Sequence, residues 1–264
     1  MFTIENYIMV DSLDEAYELN QSRSNVILGG IMWLKMSNRK IENAIDLSSL
    51  GLNTIEEDDE SFKIGCMCTL RELEVHERLN TEFNGILRKS VEHIVGVQLR
   101  NGATIGGTIF SRFGFSDVLT ALLALDTYVE LYKGGIVSLE DFIAMRTDND
   151  ILIRIIIKKD NRKVSYSTLR KSSTDFPVLA CAVSYAEDTW KAVLGARPGT
   201  AKAVEIKASK NIAIEEITAF IEKIKETITF GSNHLGSKEY RSILADVLVR
   251  RNIEEIIEGS TYED

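Results

Sequence analysis

Cysteine is scarce in this chain, and so are histidine, long apolar runs and positive charge. Cys66, Cys68 and Cys181 are the three cysteines among 264 residues, an odd number that cannot pair completely in a chain large enough to need no covalent staples. They read as reduced thiols. Cys66 and Cys68 stand two apart in a strand-like run, so both point to one face, yet a metal centre needs further ligands and none lies nearby in sequence. The same shortage excludes an intrinsic iron–sulfur cluster, which takes four thiolates or their equivalents. His76, His93 and His234 are dispersed, without a partnered nucleophile or ligand spacing, and read as structural or surface residues. No catalytic residue and no metal site is assigned.

Apolar runs such as 151–157 fall far short of the roughly 20 residues that cross a bilayer, and the N-terminus lacks a basic segment followed by an apolar one. The expectation is a cytoplasmic protein with no membrane partner. Lys and Arg number 31 against 40 Asp and Glu, a formal charge of -9; this field repels polyphosphates at long range and argues against nucleic-acid binding. An anionic ligand would have to be held by local donors.

What is present is an ordinary globular composition, 44% hydrophobic, in a length that suggests two or three lobes. Ser12 and Glu15 form a capping box that opens a helix through Asn20, followed by the strand Val26-Ile-Leu28 and the turn Gly29-Gly30. A strand over 44–47 precedes the acidic run 56–60, read as a solvated loop between subdomains. Thr69 and Glu72 make a second capping box. Residues 101–107, NGATIGG, are too rich in glycine for a helix interior, where each glycine costs about 1 kcal/mol against alanine, and predict a loop or tight bend. Ser116-Asp117 caps an apolar helix over 118–125, and 127–132 with 136–137 read as a hairpin. After a boundary near 160, hairpin strands at 180–185 and 190–194 precede helical patterns over 214–228 and 237–257. Strands first and helices after predict an α+β lobe.

Two Gly-Gly pairs, Gly29-Gly30 and Gly106-Gly107, each follow an apolar segment and could turn bare backbone N–H groups toward a phosphate. Taken alone, such pairs are usually only turns. Their surroundings say more. Residues 99–107 (LRNGATIGG) followed by 116–126 (SDVLTALLALD) resemble the FAD-binding subunit of xanthine dehydrogenase and carbon-monoxide dehydrogenase. Residues 26–36 (VILGGIMWLKM) look like the family's first flavin loop; 45–48, 64–65 and 138–142 follow at familiar spacings, and 175–178 with Tyr240-Arg241 resemble its C-terminal domain.

The resemblance implies an α+β fold of the vanillyl-alcohol-oxidase or PCMH type, with an FAD-binding domain over 1–160 in two subdomains (about 1–55 and 56–160). A C-terminal α+β domain like that of the carbon-monoxide dehydrogenase flavoprotein follows over 161–264. It implies that Leu28, Gly29, Gly30, Ile31, Met32 and Trp33 wrap the FAD diphosphate, that Thr104 adds a hydroxyl, and that Gly106, Gly107 and Thr108 form the opposing cradle. Asp117 would contact FAD hydroxyls and Leu152 would pack near the flavin ring. Ile31-Met32 stand where the family commonly has Thr-Asp, Thr108 replaces an asparagine, and Thr168 stands where many relatives have a lysine.

The implied function is an electron-transfer subunit of a molybdenum hydroxylase hetero-oligomer. Electrons would pass from iron–sulfur clusters on one partner subunit, downstream of a molybdopterin subunit, through FAD to NAD. Two alternatives stand beside it: a self-contained FAD-dependent oxidoreductase of the same fold, and a flavin-free scaffold subunit.

Overall fold

The computed structural model describes residues 2–259. Its strands, in chain order, are β1 Thr3–Met9, β2 Val26–Leu28, β3 Lys40–Asp46, β4 Ile55–Glu57, β5 Ser61–Gly65, β6 Thr127–Leu131, β7 Gly135–Ser138, β8 Leu152–Lys158, β9 Lys163–Arg170, β10 Pro177–Ala186, β11 Thr189–Gly195 and β12 Lys202–Lys207. Its helices are α1 Leu13–Asn20, α2 Leu70–Val75, α3 Glu77–Glu82, α4 Ile86–Val91, α5 Val97–Arg100, α6 Ile105–Phe110, α7 Asp117–Ala124, α8 Leu139–Ala144, α9 Ile214–Thr227 and α10 Lys238–Glu258. No helix among the described residues is long and apolar enough to cross a membrane.

The chain divides into two compact units that interleave in sequence: 1–72, 97–111 and 127–157 form the first, and 73–96, 112–126 and 158–264 the second. One crossing between the units falls at 157–158.

The first unit holds two sheets. In the smaller, β3 lies between β1 and β2 and pairs parallel with both, so the connection through α1 is the crossover that parallel strands require. Ser12 caps α1 as its motif predicts, its Oγ accepting from the Glu15 N–H at 3.1 Å. The larger sheet runs β4-β5-β8-β6-β7. The acidic run 56–60, expected as a free loop between subdomains, instead belongs to the β4–β5 hairpin, where Glu56 pairs with Lys63 and Glu57 with Phe62. Asp58 accepts from the Ser61 N–H at 2.7 Å and meets Lys63 at 2.9 Å, and these contacts hold its carboxyl well below the usual range. An Asx turn and one cation are enough to make a hairpin of that segment.

The second unit is built on the antiparallel sheet β12-β11-β10-β9. Leu179, Cys181 and Val183 of β10 enter a core with Trp190, Phe220, Ile224, Leu244, Leu248 and Ile253 from β11, α9 and α10. The alternate residues Ala180 and Ala182 are equally buried, because α7 packs on β10 and β11 as well. A strand covered on both faces loses its polar–apolar alternation. All eight residues of α7 are buried, with Ser116 as its N-cap accepting from the Leu119 N–H at 3.1 Å. Glu187 and Asp188 both take positive φ, 47° and 53°, the geometry of the tight turn that joins β10 to β11. Arg241, fully buried, donates to the carbonyls of Val178, Gly231 and Gly236. Arg197 likewise donates to the carbonyls of Thr200 and Thr229.

Candidate functional site: a glycine-lined cavity in the first unit

The chain leaves β2 through Gly29-Gly30 and passes directly against the segment that enters α6. A Cβ on Gly30 would lie 1.7 Å from the Gly102 carbonyl oxygen, and one on Gly29 would lie 2.8 Å from Thr104 Oγ1 and 3.9 Å from the Gly107 Cα. The two glycine pairs are thus neighbours in space. Glycine is required at Gly30 by this crossing of backbones, not by positive φ. The left-handed residue of the loop is Ile31, at φ 49°, an uncommon conformation for a β-branched side chain.

The second glycine pair differs from expectation. Residues 105–110 form the helix α6, in which Gly106 and Gly107 occupy the first turn. The penalty of glycine in a helix is met by external partners for the first-turn N–H groups, which have none inside a helix. Ile105 N–H donates to the Cys68 carbonyl at 2.8 Å, Gly106 N–H to the Cys66 carbonyl at 2.8 Å, and Gly107 N–H to Thr104 Oγ1 at 3.2 Å. These amides are therefore committed within the chain and are not bare donors. The Thr104 hydroxyl, accepting as a cap, keeps its own proton to give. By contrast, Gly30, Ile31 and Met32 donate no backbone hydrogen bond among the described residues.

Beside this junction lies a cavity of about 400 Å³, within the range of small-molecule and cofactor sites. Of the residues expected at a ligand, Leu28, Gly29, Thr104, Gly106, Gly107 and Leu152 line it; Gly30, Ile31, Met32, Trp33 and Thr108 do not. Ile31 and Trp33 are exposed on the same loop. Asp117 belongs to the second unit. There its buried carboxylate meets the Arg170 guanidinium at 2.8 Å and accepts from the Tyr166 hydroxyl at 2.6 Å. Burial pushes the Asp117 carboxyl up and Arg170 opposes the shift, while burial and the adjacent carboxylate push Tyr166 well above its ordinary range. Thr168, the residue noted for its missing lysine, lies between Tyr166 and Arg170 on β9.

Several lining residues gave no signal in the sequence. The segment Thr147 to Ile151 forms one wall, held there because the Asp150 carboxylate accepts from the N–H groups of Lys133 and Gly134 at the β6–β7 turn. The Asn149 carbonyl accepts from Asn20 at 2.7 Å. Arg39 and Cys66 also line the cavity. Burial, and then the neighbouring Cys68, push the Cys66 thiol up to about 12, so it is no thiolate nucleophile at neutral pH. The lining brings together one cation, Arg39, the hydroxyl residues Thr104, Ser111 and Thr147, the carboxylates Asp148 and Asp150, and apolar surface from Val26, Ile27, Leu28, Leu47 and Leu152; the undonated amides of Gly30 to Met32 lie on the loop that follows the lining Gly29.

Residues 2–159 match the family described as "FAD binding domain in molybdopterin dehydrogenase". The chain is 27% identical over 257 residues to the protein YgfM of Escherichia coli (strain K12), covering 93% of this chain and 94% of that one. It is 22% identical over 275 residues to the glyceraldehyde dehydrogenase medium chain of Sulfolobus acidocaldarius, covering 95% and 98%. In fold it is similar to a chain of quinoline 2-oxidoreductase from Pseudomonas putida 86, with a TM-score of 0.85 at 18% identity and coverage of 98% and 99%.

Proposed function

The chain belongs to the FAD-binding domain family of molybdopterin dehydrogenases, and on that premise we propose that it is the FAD-carrying electron-transfer subunit of a molybdenum hydroxylase complex. The observation that carries this is the meeting of Gly29, Thr104, Gly106 and Gly107 at one cavity, with undonated amides at Gly30 to Met32 on the loop that follows Gly29. When bound, FAD would supply redox chemistry that no side chain of the site can perform. The chain's own part is to hold it. Amides of the 30–32 loop would meet the diphosphate, the Thr104 hydroxyl would donate to it, and the bare surfaces of Gly29, Gly106 and Gly107 would permit close approach. Leu152 would pack against the ring system, with Trp33 and Thr108 at the margins. Asp117, expected to contact FAD hydroxyls, presents its Oδ1 to Arg170 and Tyr166.

Partner subunits would carry the iron–sulfur clusters and molybdopterin, with NAD as the final acceptor. The relatives' names support a place in such an assembly: one is called a medium chain, and another, from Paenarthrobacter nicotinovorans, a subunit of a dehydrogenase complex. A test is to purify the chain with its untagged neighbours and measure flavin, iron and molybdenum. The expected result is about one FAD per chain, with the metals on other polypeptides. A preparation without flavin absorbance that gains none on reconstitution refutes the proposal. That result would favour the flavin-free scaffold, a reading supported by the committed amides of Gly106 and Gly107.

A further inference from the structure

We propose that Arg39 is the anion clamp of this cavity, its guanidinium engaging the diphosphate of the bound dinucleotide. The inference rests on the proposed function and adds a residue that no motif in the loop contains. A protein with a formal charge of -9 must neutralise a diphosphate locally, and the structure removes the expected means: the first-turn amides of α6 are spent on Cys68, Cys66 and Thr104. Arg39 is the sole Lys or Arg among the residues lining the cavity. Its backbone is pinned at the entry to β3, its carbonyl accepting from the Thr3 N–H at 3.0 Å and its N–H reaching Ser37 Oγ at 3.4 Å. Its guanidinium has no hydrogen bond or ion pair among the described residues.

The two carboxylates of the lining are held in place by backbone N–H donors. Asp150 accepts from the N–H groups of Lys133, Gly134 and Ile151, and Asp148 accepts from the Asp150 N–H at 3.1 Å. Lys35, the cation within the flavin-loop segment, is turned to the Met32 sulfur at 3.7 Å. Arg39 is thus the unengaged cation of the lining, and the undonated amides of Gly30 to Met32 lie on the loop that follows the lining Gly29. A planar guanidinium presents paired donors that match phosphate oxygens. An exposed arginine at a strand entry is ordinarily only solvated; its place in the cavity wall and its lack of any internal partner favour a ligand role.

The test compares wild type, Arg39→Ala and Arg39→Lys as full-length chain, by titration with FAD, riboflavin, ADP and adenosine. Removing the guanidinium should weaken FAD and ADP about tenfold or more, the scale of a hydrogen bond to a charged group, while riboflavin and adenosine, which lack the diphosphate, are unchanged. Arg39→Lys should recover part of the loss. The fall of FAD affinity with added salt should be shallower in Arg39→Ala. Because the exposed side chain has no internal hydrogen bond or ion pair among the described residues, the melting temperature should match wild type, which separates a lost ligand contact from a lost fold. Equal FAD and ADP affinity in wild type and Arg39→Ala overturns this proposal and leaves the flavin reading standing. Wild type that takes up no FAD overturns both.

Discussion

Gly106 and Gly107 sit side by side in the first turn of α6, and replacing each by alanine sets two effects of known size against each other. In an open helix position, glycine to alanine stabilises by about 1 kcal/mol. At Gly106 the added Cβ would lie 2.5 Å from the Cys66 carbonyl oxygen and 2.7 Å from the Cys66 Cβ, so the two segments must separate by most of an ångström. That separation stretches the 2.8 Å bond from the Gly106 N–H to the same carbonyl. Overpacking costs roughly 1–3 kcal/mol, and the weakened bond adds about 1 kcal/mol. The helix gain offsets only part of this, and the expected net loss is about 2 kcal/mol. At Gly107 the new atom meets only Thr104 Oγ1, at 3.1 Å, and the position is exposed; gain and crowding nearly cancel, within about 0.5 kcal/mol. Urea unfolding followed by circular dichroism reads the contrast directly. With a slope of about 3 kcal/mol per molar, the Gly106→Ala midpoint should fall by about 0.7 M and that of Gly107→Ala should hardly move. A Gly106→Ala protein as stable as wild type or more so would show that α6 does not press on Cys66, and the described cavity wall would be wrong.

Burial pushes Cys66, Cys68 and Cys181 each up to about 12. Because the folded values lie above the unfolded value of 9.0, the neutral thiols favour the native state below pH 9. That contribution is lost as pH rises through about 12, and melting temperatures measured upward from pH 9 should decline accordingly. At pH 8, iodoacetamide should label all three thiols in urea and leave them unmodified in the native protein, as mass spectrometry would show. Asp117→Ala strands the buried Arg170 and should cost about 3 kcal/mol, whereas removing both partners together, Asp117→Leu with Arg170→Met, should cost less than the single change; chemical denaturation of the three variants decides this. Ile31→Asn places a residue tolerant of the left-handed region at φ 49° and should raise stability by about 1 kcal/mol, seen as a higher melting temperature.

Elements governed by neighbours three or four residues apart were readable from the chain alone. Ser12, Thr69, Ser116 and Ser138 are each followed at three residues by the N–H they accept from. These caps depend on nothing distant, so the helix starts they mark are legible in the sequence. The same holds for the β6–β7 and β10–β11 hairpins, whose turns lie within their own sequence. The α6 helix was not recognised, because two glycines argue against a helix locally and the groups that override them, the carbonyls of Cys66 and Cys68, arrive from nearly forty residues earlier. Arg39 was invisible for the same kind of reason: nothing in its neighbours marks it, and only the fold brings it to the cavity that residues 147–151 also line.

Composition and local pattern pointed to an α+β protein with unpaired thiols, and the fold and the free cysteines agree; the weight of Gly29-Gly30 and Gly106-Gly107 came from the residues around them. Tertiary structure decided which of those glycines meet, which amides stay bare, that Asp117 faces Arg170 and Tyr166, and that segments 73–96 and 112–126 join the second unit. The division follows from range: capping and turn energies act over a few residues and are written consecutively. Carbonyl partners, buried ion pairs and the packing of α7 on β10 and β11 depend on contacts that close only when distant segments are brought together.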